Sequence, residues 1–181
     1  MRPLGDLDSL LLIGTDPGGR RVPEAVWVER VERARALAPL NYRAKAKWSF
    51  VGPDGSGEEE WAAQVSQTER RAARIAHALE LERCVEYLNA EVPDAVRSSE
   101  DGEGFLQLHF ANGNLARKHM TDAPPDPTDR GTTVVWLDAG DHIVKTESTF
   151  VGTIDGESMK VKLIQAFAAY DEEATSSSAS D

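Results

Sequence analysis

The sequence predicts an α+β protein in which N-terminal helices pack on an antiparallel β-meander, with a short helix possible at the C-terminal end. Three observations carry this expectation. Apolar residues recur at period two over 105–110 and 159–163, as they do along one face of a strand, and 132–137 is rich in the β-branched residues that strands favour. Residue pairs suited to tight turns, Asn112-Gly113, Gly140-Asp141 and Asp155-Gly156, separate such stretches. In the first half, apolar residues recur at three and four instead, the spacing of a helix face.

Along the chain, Leu10, Leu11, Leu12 and Ile13 suggest a short buried strand. A glycine-rich turn follows at 14–19. It lacks the lysine, the hydroxyl and the directly following helix that a phosphate cradle needs, so a nucleotide site there is set aside. Pro23 and Glu24 suit a helix start, and Trp27, Val31, Ala34 and Ala38 fall on one face before Pro39 stops the helix. Arg30, Arg33 and Arg35 alternate with Glu29 and Glu32, the pattern of a solvated, ion-paired face. Residues 45–51 alternate as a strand, closed by the turn Gly52-Pro53-Asp54-Gly55.

Ser56 and Glu59 have capping-box spacing, and Trp61, Val65, Thr68, Ala72, Ile75 and Leu79 recur as a helical stripe. The expectation is a helix over about 57–90, bent or broken near Ser66. The polar stretch 92–104 then separates a helical half (about 23–92) from a β-rich half (about 104–164), both within one domain spanning 1–170. In the β half, Leu106, Leu108 and Phe110 share a face, and Phe105, Gln107 and His109 the other. A type I′ turn at Asn112-Gly113 would place Phe110 opposite Leu115 and His109 opposite Ala116 in a returning strand. The Pro-rich segment 123–127 is a loop. A turn at Gly140-Asp141 sets Leu137 against Val144, Val135 against Thr146, Trp136 against Lys145 and Val134 against Glu147. Residues 164–170 switch to a helix-favouring composition. Residues 171–181 are acidic and serine-rich and read as a disordered tail.

Composition bounds the function. Of 181 residues, 40% are hydrophobic and 28% charged, and the net charge is −11. Such a field repels phosphate, which argues against nucleic acid and anionic membranes as partners and favours a basic protein. The lone cysteine, Cys84, excludes an intrachain disulfide and fits the cytoplasm. No grouping of nucleophile, base or paired carboxylates has informative spacing, so no catalytic residue, metal site or cofactor is assigned. Asp138, Asp141 and His142 cluster at one turn, where solvation explains them better than metal binding. The residues therefore suggest a non-enzymatic protein-binding or adaptor module, with Arg70, Arg74 and Trp136 as partner-binding candidates. Arg70 and Arg74 form a helical stripe with His77, and Trp136 is a candidate exposed anchor. The alternative is a small-molecule binder or enzyme with a pocket between helices and sheet, holding His109 or His142. A filled core with an exposed Trp136 separates the first from the second.

Overall fold

The computed structural model describes residues 7–12, 20–36, 41–66, 79–98 and 105–168. Among these, the elements in chain order are α1 (Leu7–Leu11), β1 (Arg20–Arg21), α2 (Glu24–Arg35), β2 (Asn41–Gly52), β3 (Gly55–Ser66), α3 (Leu81–Ala90), β4 (Ala95–Ser98), β5 (Leu106–Phe110), α4 (Asn114–Met120), β6 (Arg130–Leu137), β7 (Ile143–Ile154) and β8 (Glu157–Ala168). The strands form one eight-stranded sheet in the order β1-β4-β5-β6-β7-β8-β2-β3, every pair antiparallel. The α+β class and the antiparallel sheet stand. No helix among the described residues is long and apolar enough to cross a membrane.

One face of the sheet is covered by α2, α3 and α4. Tyr42, Ala44 and Ala46 of β2, Leu108 of β5, Val135 of β6, and Leu163 and Phe167 of β8 join Val31 of α2, Cys84 and Leu88 of α3 and Ala116 of α4 in one buried cluster. The opposite face is covered in part by α1, whose Leu7 and Leu11 pack on Ala166 and Ala168. The α1 helix replaces the strand expected at 10–13. A hydrophobic run this short fits either element, and here Leu7 and Leu11 stand one helical turn apart.

Two of the three turn signals behave as expected. Asp155 and Gly156 have φ of 52° and 84° and join Ile154 to Glu157, the backbone that a type I′ turn demands. At 138–142, Asp138 organises the reversal: its carboxylate accepts from the backbone N–H of Gly140 and His142, both at 2.9 Å. Val135 opposite Thr146, Trp136 opposite Lys145 and Val134 opposite Glu147 hold. Leu137 instead meets Ile143, because a bulge shifts the register there. The extra residue sends Ile143 to the helix-covered core and leaves Val144 on the opposite face with Trp136.

The third signal has a different structural meaning. Asn112-Gly113 is not a hairpin turn, and β5 pairs with β6 rather than with a returning strand. Residues 114–120 are helical. Gly113 has φ −102°, so no left-handed backbone requires glycine there. Close approach requires it: a Cβ on Gly113 would lie 2.2 Å from the carbonyl oxygen of Thr149 in β7. Asn112 Oδ1 accepts from Asn114 N (3.2 Å) and Tyr87 Oη (2.7 Å), securing the start of α4. A buried chain continues inward. Ala116 N donates to Ser148 Oγ (3.0 Å), Ser148 and Thr133 share a hydrogen bond of 2.8 Å, and Thr133 Oγ1 donates to Asn112 O (2.7 Å).

Two expected helices are strands. Ser56, Glu59, Trp61 and Val65 lie in β3, hairpinned to β2 through Pro53 and Asp54. Trp61, Ala63 and Val65 satisfy a period of two as well as Trp61 and Val65 satisfy four, and a twelve-residue partner decides for the strand. Residues 67–78 of that expected helix lie outside the described residues. Its end survives as α3, with Cys84 buried as expected. Burial pushes the Cys84 thiol pKa up, and Sγ donates to Gln165 Oε1 at 3.3 Å. The C-terminal helix expected at 164–170 is also overturned over 164–168, because β8 runs to Ala168, paired with β2 as far as Ala168 and with β7 as far as Ala166. Residues 169–170 and the tail expected at 171–181 lie outside the described residues. Ladder bonds on both sides override the helix preference of its alanines.

Candidate functional site

Of the predicted site residues, Arg70 and Arg74, with His77 beside them, lie outside the described residues. Trp136 is no exposed anchor. It is fully buried beside Phe105, Val134 and Val144, on the sheet face away from α3 and α4. The bulge at Leu137 and the neighbouring Leu10 close that face over it. The ammonium of Lys145 lies 4.9 Å from its ring centroid and donates to Leu11 O at the end of α1 (3.0 Å). Lys145 is itself 1% exposed, and burial pulls its pKa down to about 8 from the ordinary 10.5.

This lysine has a measurable consequence. Between pH 8 and 10.5 the unfolded chain holds a proton that the folded chain has released. Stability therefore rises with pH in that window. Against Lys145→Met, the wild-type protein should gain stability from pH 8 to 10.5 with a slope approaching about 1 kcal/mol per pH unit, read from urea midpoints. A constant difference between the two proteins would contradict the burial of the charge.

His109 and His142 do not meet. His109 is half-buried and lies 3.3 Å from Gln107 Oε1. Burial, then the charge of Arg97, lowers its pKa. His142 sits in the turn after β6, with Nδ1 3.2 Å from Asp138 Oδ2. Neither histidine lines the grooves of about 330, 470 and 440 Å³ that described residues form beside Lys47, Trp27 and Pro124. Asp141, from the same turn, is turned inward. Its two oxygens accept from Arg30 Nε and Arg33 Nε of α2, each at 2.6 Å, and Arg30 also donates to Asp138 O at 2.8 Å. The arginines expected on a solvated face thus tie α2 to the sheet. Two guanidiniums on one carboxylate leave no place for a metal cation there.

The feature that the sequence reading missed is the outer edge of β3. This strand runs for twelve residues, pairs with β2 through its whole length, and has no strand on its other side among the described residues. Alternate residues therefore turn their backbone N–H and C=O groups away from β2 without a ladder partner. The opposite edge of the sheet, β1, is only two residues long.

Glu58, Glu59 and Glu60 are consecutive in β3, and all are exposed. Because strand side chains alternate, Glu58 and Glu60 stand on the α1 side and Glu59 on the side of α3 and α4. Glu60 lies 2.8 Å from Lys45 Nζ and 4.0 Å from Lys47 Nζ. Asp8 of α1 also bonds Lys45, and Asp8 and Glu60 together hold that ammonium above the ordinary lysine range. Glu58 and Glu59 have no ion pair among the described residues. On the α1 side, Glu58, Glu60, Lys47, Ser49, Lys162 and Ile164 wall a shallow groove of about 330 Å³.

The helical expectation hid this edge, because three glutamates behind a serine look like the start of a helix. Gly57 was the available contrary signal. Glycine is poor inside a helix, and in a strand it marks close approach. Here the ring of Phe50 lies across it, 2.5 Å from where a Cβ would stand. Comparison with known protein families, with curated proteins and with solved structures finds no match to this chain.

Proposed function

We propose that the protein is a non-enzymatic docking module that receives a basic, extended segment of a partner protein as an added strand along β3. The single observation that carries this reading is a twelve-residue edge, open among the described residues, that bears three consecutive exposed glutamates. Unpaired strand edges bind other strands through their main-chain groups. The glutamates decide which strands. A second copy of the same edge would bring six carboxylates together, which discourages self-pairing, whereas a Lys- or Arg-bearing strand is attracted. The net charge of −11 adds long-range attraction for such a partner. The helix-filled face of the sheet also favours docking over a pocket enzyme. The buried lone cysteine suits a reducing cytoplasm.

The test is a fluorescence anisotropy titration with a labelled ten-residue peptide that alternates basic and β-branched residues. The peptide should bind, and binding should weaken as salt screens the charges. The charge-reversed double variant Glu58→Lys/Glu59→Lys should weaken it roughly tenfold or more. A peptide of the same charge with proline at alternate positions should bind far more weakly, since it cannot complete the ladder. Equal binding of the proline peptide would sink strand addition, and equal binding by the double variant would sink this edge as the site.

A further inference from the structure

On the helix side of the sheet, the glutamate edge meets a group of aromatic rings. Trp48 and Phe50 of β2 have ring centroids 4.7 Å apart, and Trp48 and Trp61 of β3 6.3 Å apart, with interplanar angles of 33° and 31°. His119 of α4 stands 5.8 Å from Trp48 and 5.7 Å from Trp61. Trp48, Phe50 and Trp61 are all partly exposed. The β2–β3 register pairs Trp48 with Glu59, Phe50 with Gly57 and Ala46 with Trp61. The Glu59 side chain therefore rises from the same face as the rings, directly across from Trp48 and two residues along β3 from Trp61. Among the described residues, no lysine or arginine pairs with Glu59 or lies over these rings.

The geometry points to this corner as the seat of one arginine side chain, carried by the basic segment that adds to β3. This inference rests on the docking reading above and makes it specific. In an added antiparallel strand, the residue opposite Glu59 places its Cβ about 4.5–5.5 Å from that of Glu59 and points to the helix side. A guanidinium there meets the carboxylate with its fork and lays its plane against an indole face. Lysine matches this seat less well, because its ammonium is a strongly hydrated point charge with no plane to stack. The neighbouring residues of the added strand point to the α1 side, towards Glu58 and Glu60. There Lys45 and Lys47 already occupy Glu60, so a basic residue gains mainly general attraction. One position should therefore distinguish arginine from lysine, and its neighbours should not.

The experiment uses the full chain and a set of lysine-bearing strand peptides in which one lysine at a time becomes arginine. Affinity is read by anisotropy, and tryptophan emission is followed in the same titration. At a single position, arginine should bind roughly fivefold to tenfold tighter than lysine and change the tryptophan emission. Glu59→Gln and Trp61→Leu should each bring the arginine and lysine peptides within about twofold of one another. Glu59→Gln alters an exposed side chain, so it keeps the test informative if Trp61→Leu loses its fold. Binding with protection of β3 amides, but no position preferring arginine, would overturn the seat and leave strand docking standing. No binding of any peptide would overturn the docking reading, and the seat with it.

Discussion

Gly113→Ala should lower the unfolding free energy by about 3 kcal/mol or more, although it adds a single methyl group. The added carbon would stand 2.2 Å from Thr149 O and 2.9 Å from its carbonyl carbon. Relief by side-chain movement is not available, because the obstacle is backbone. That backbone cannot retreat, since Thr149 lies inside β7, paired with Thr132 on one side and Lys162 on the other. Either α4 lifts from the sheet or the β6–β7 ladder opens, and lifting α4 disrupts the Ser148–Thr133–Asn112 chain. Gly131 in β6 meets the same carbonyl, with a Cβ at 2.1 Å. Gly131→Ala should therefore cost a similar amount, and the double variant less than the sum, because both collide at one place. Urea midpoints of the four proteins give these values. A loss below about 1 kcal/mol for Gly113→Ala would mean that α4 does not sit against β7.

Asp141→Asn should cost about 3 kcal/mol, through charge rather than shape. Asparagine keeps the side-chain volume and tolerates the left-handed backbone at this position, where φ is 63°. The side chain of Asp141 is only 5% exposed and receives both Arg30 and Arg33. Neutralising it leaves two guanidiniums side by side with no anion between them. The two pairs are unequal, because Arg30 is 23% exposed and Arg33 59%. Solvent screens the second more strongly. Arg30→Ala should accordingly destabilise more than Arg33→Ala, and a double-mutant cycle with Asp141→Asn should show the larger coupling to Arg30. Equal and negligible coupling at both arginines would mean that α2 is held to the sheet by apolar packing alone.

The β half was largely legible in the sequence, because its signals are local. Asp155-Gly156 specifies its turn through backbone conformation, and the β-branched run 132–137 specifies its strand. Three of four predicted partners across the β6–β7 turn follow from the side-chain period of two. What escaped depends on partners distant in sequence. Gly113 looks like turn chemistry, but its requirement is a carbonyl 36 residues later in the chain. Residues 164–168 have helical composition and become a strand because β2 pairs with all of them and β7 with the first three. Residues 56–66 fit both periods, and only the hairpin with β2 decides between them. Trp136 shares its strand face with Lys145 and Glu147, and two charged neighbours suggest an exposed position. Lys145 in fact stacks over the ring and is buried with it. The candidate site escaped for the same reason as β3 itself: an edge is a property of strand order, and strand order is not written in any single stretch of residues.

Amide hydrogen exchange along β3, measured residue by residue with and without the basic peptide, tests the central claim most directly. In the free protein, alternate amides of β3 should exchange quickly while those bonded to β2 exchange slowly. On peptide binding the fast set should become protected, with little change at the two-residue edge strand β1. Protection that is already uniform along β3 in the free protein, or peptide binding that leaves the fast set unprotected, would contradict an open acidic edge that receives a partner strand.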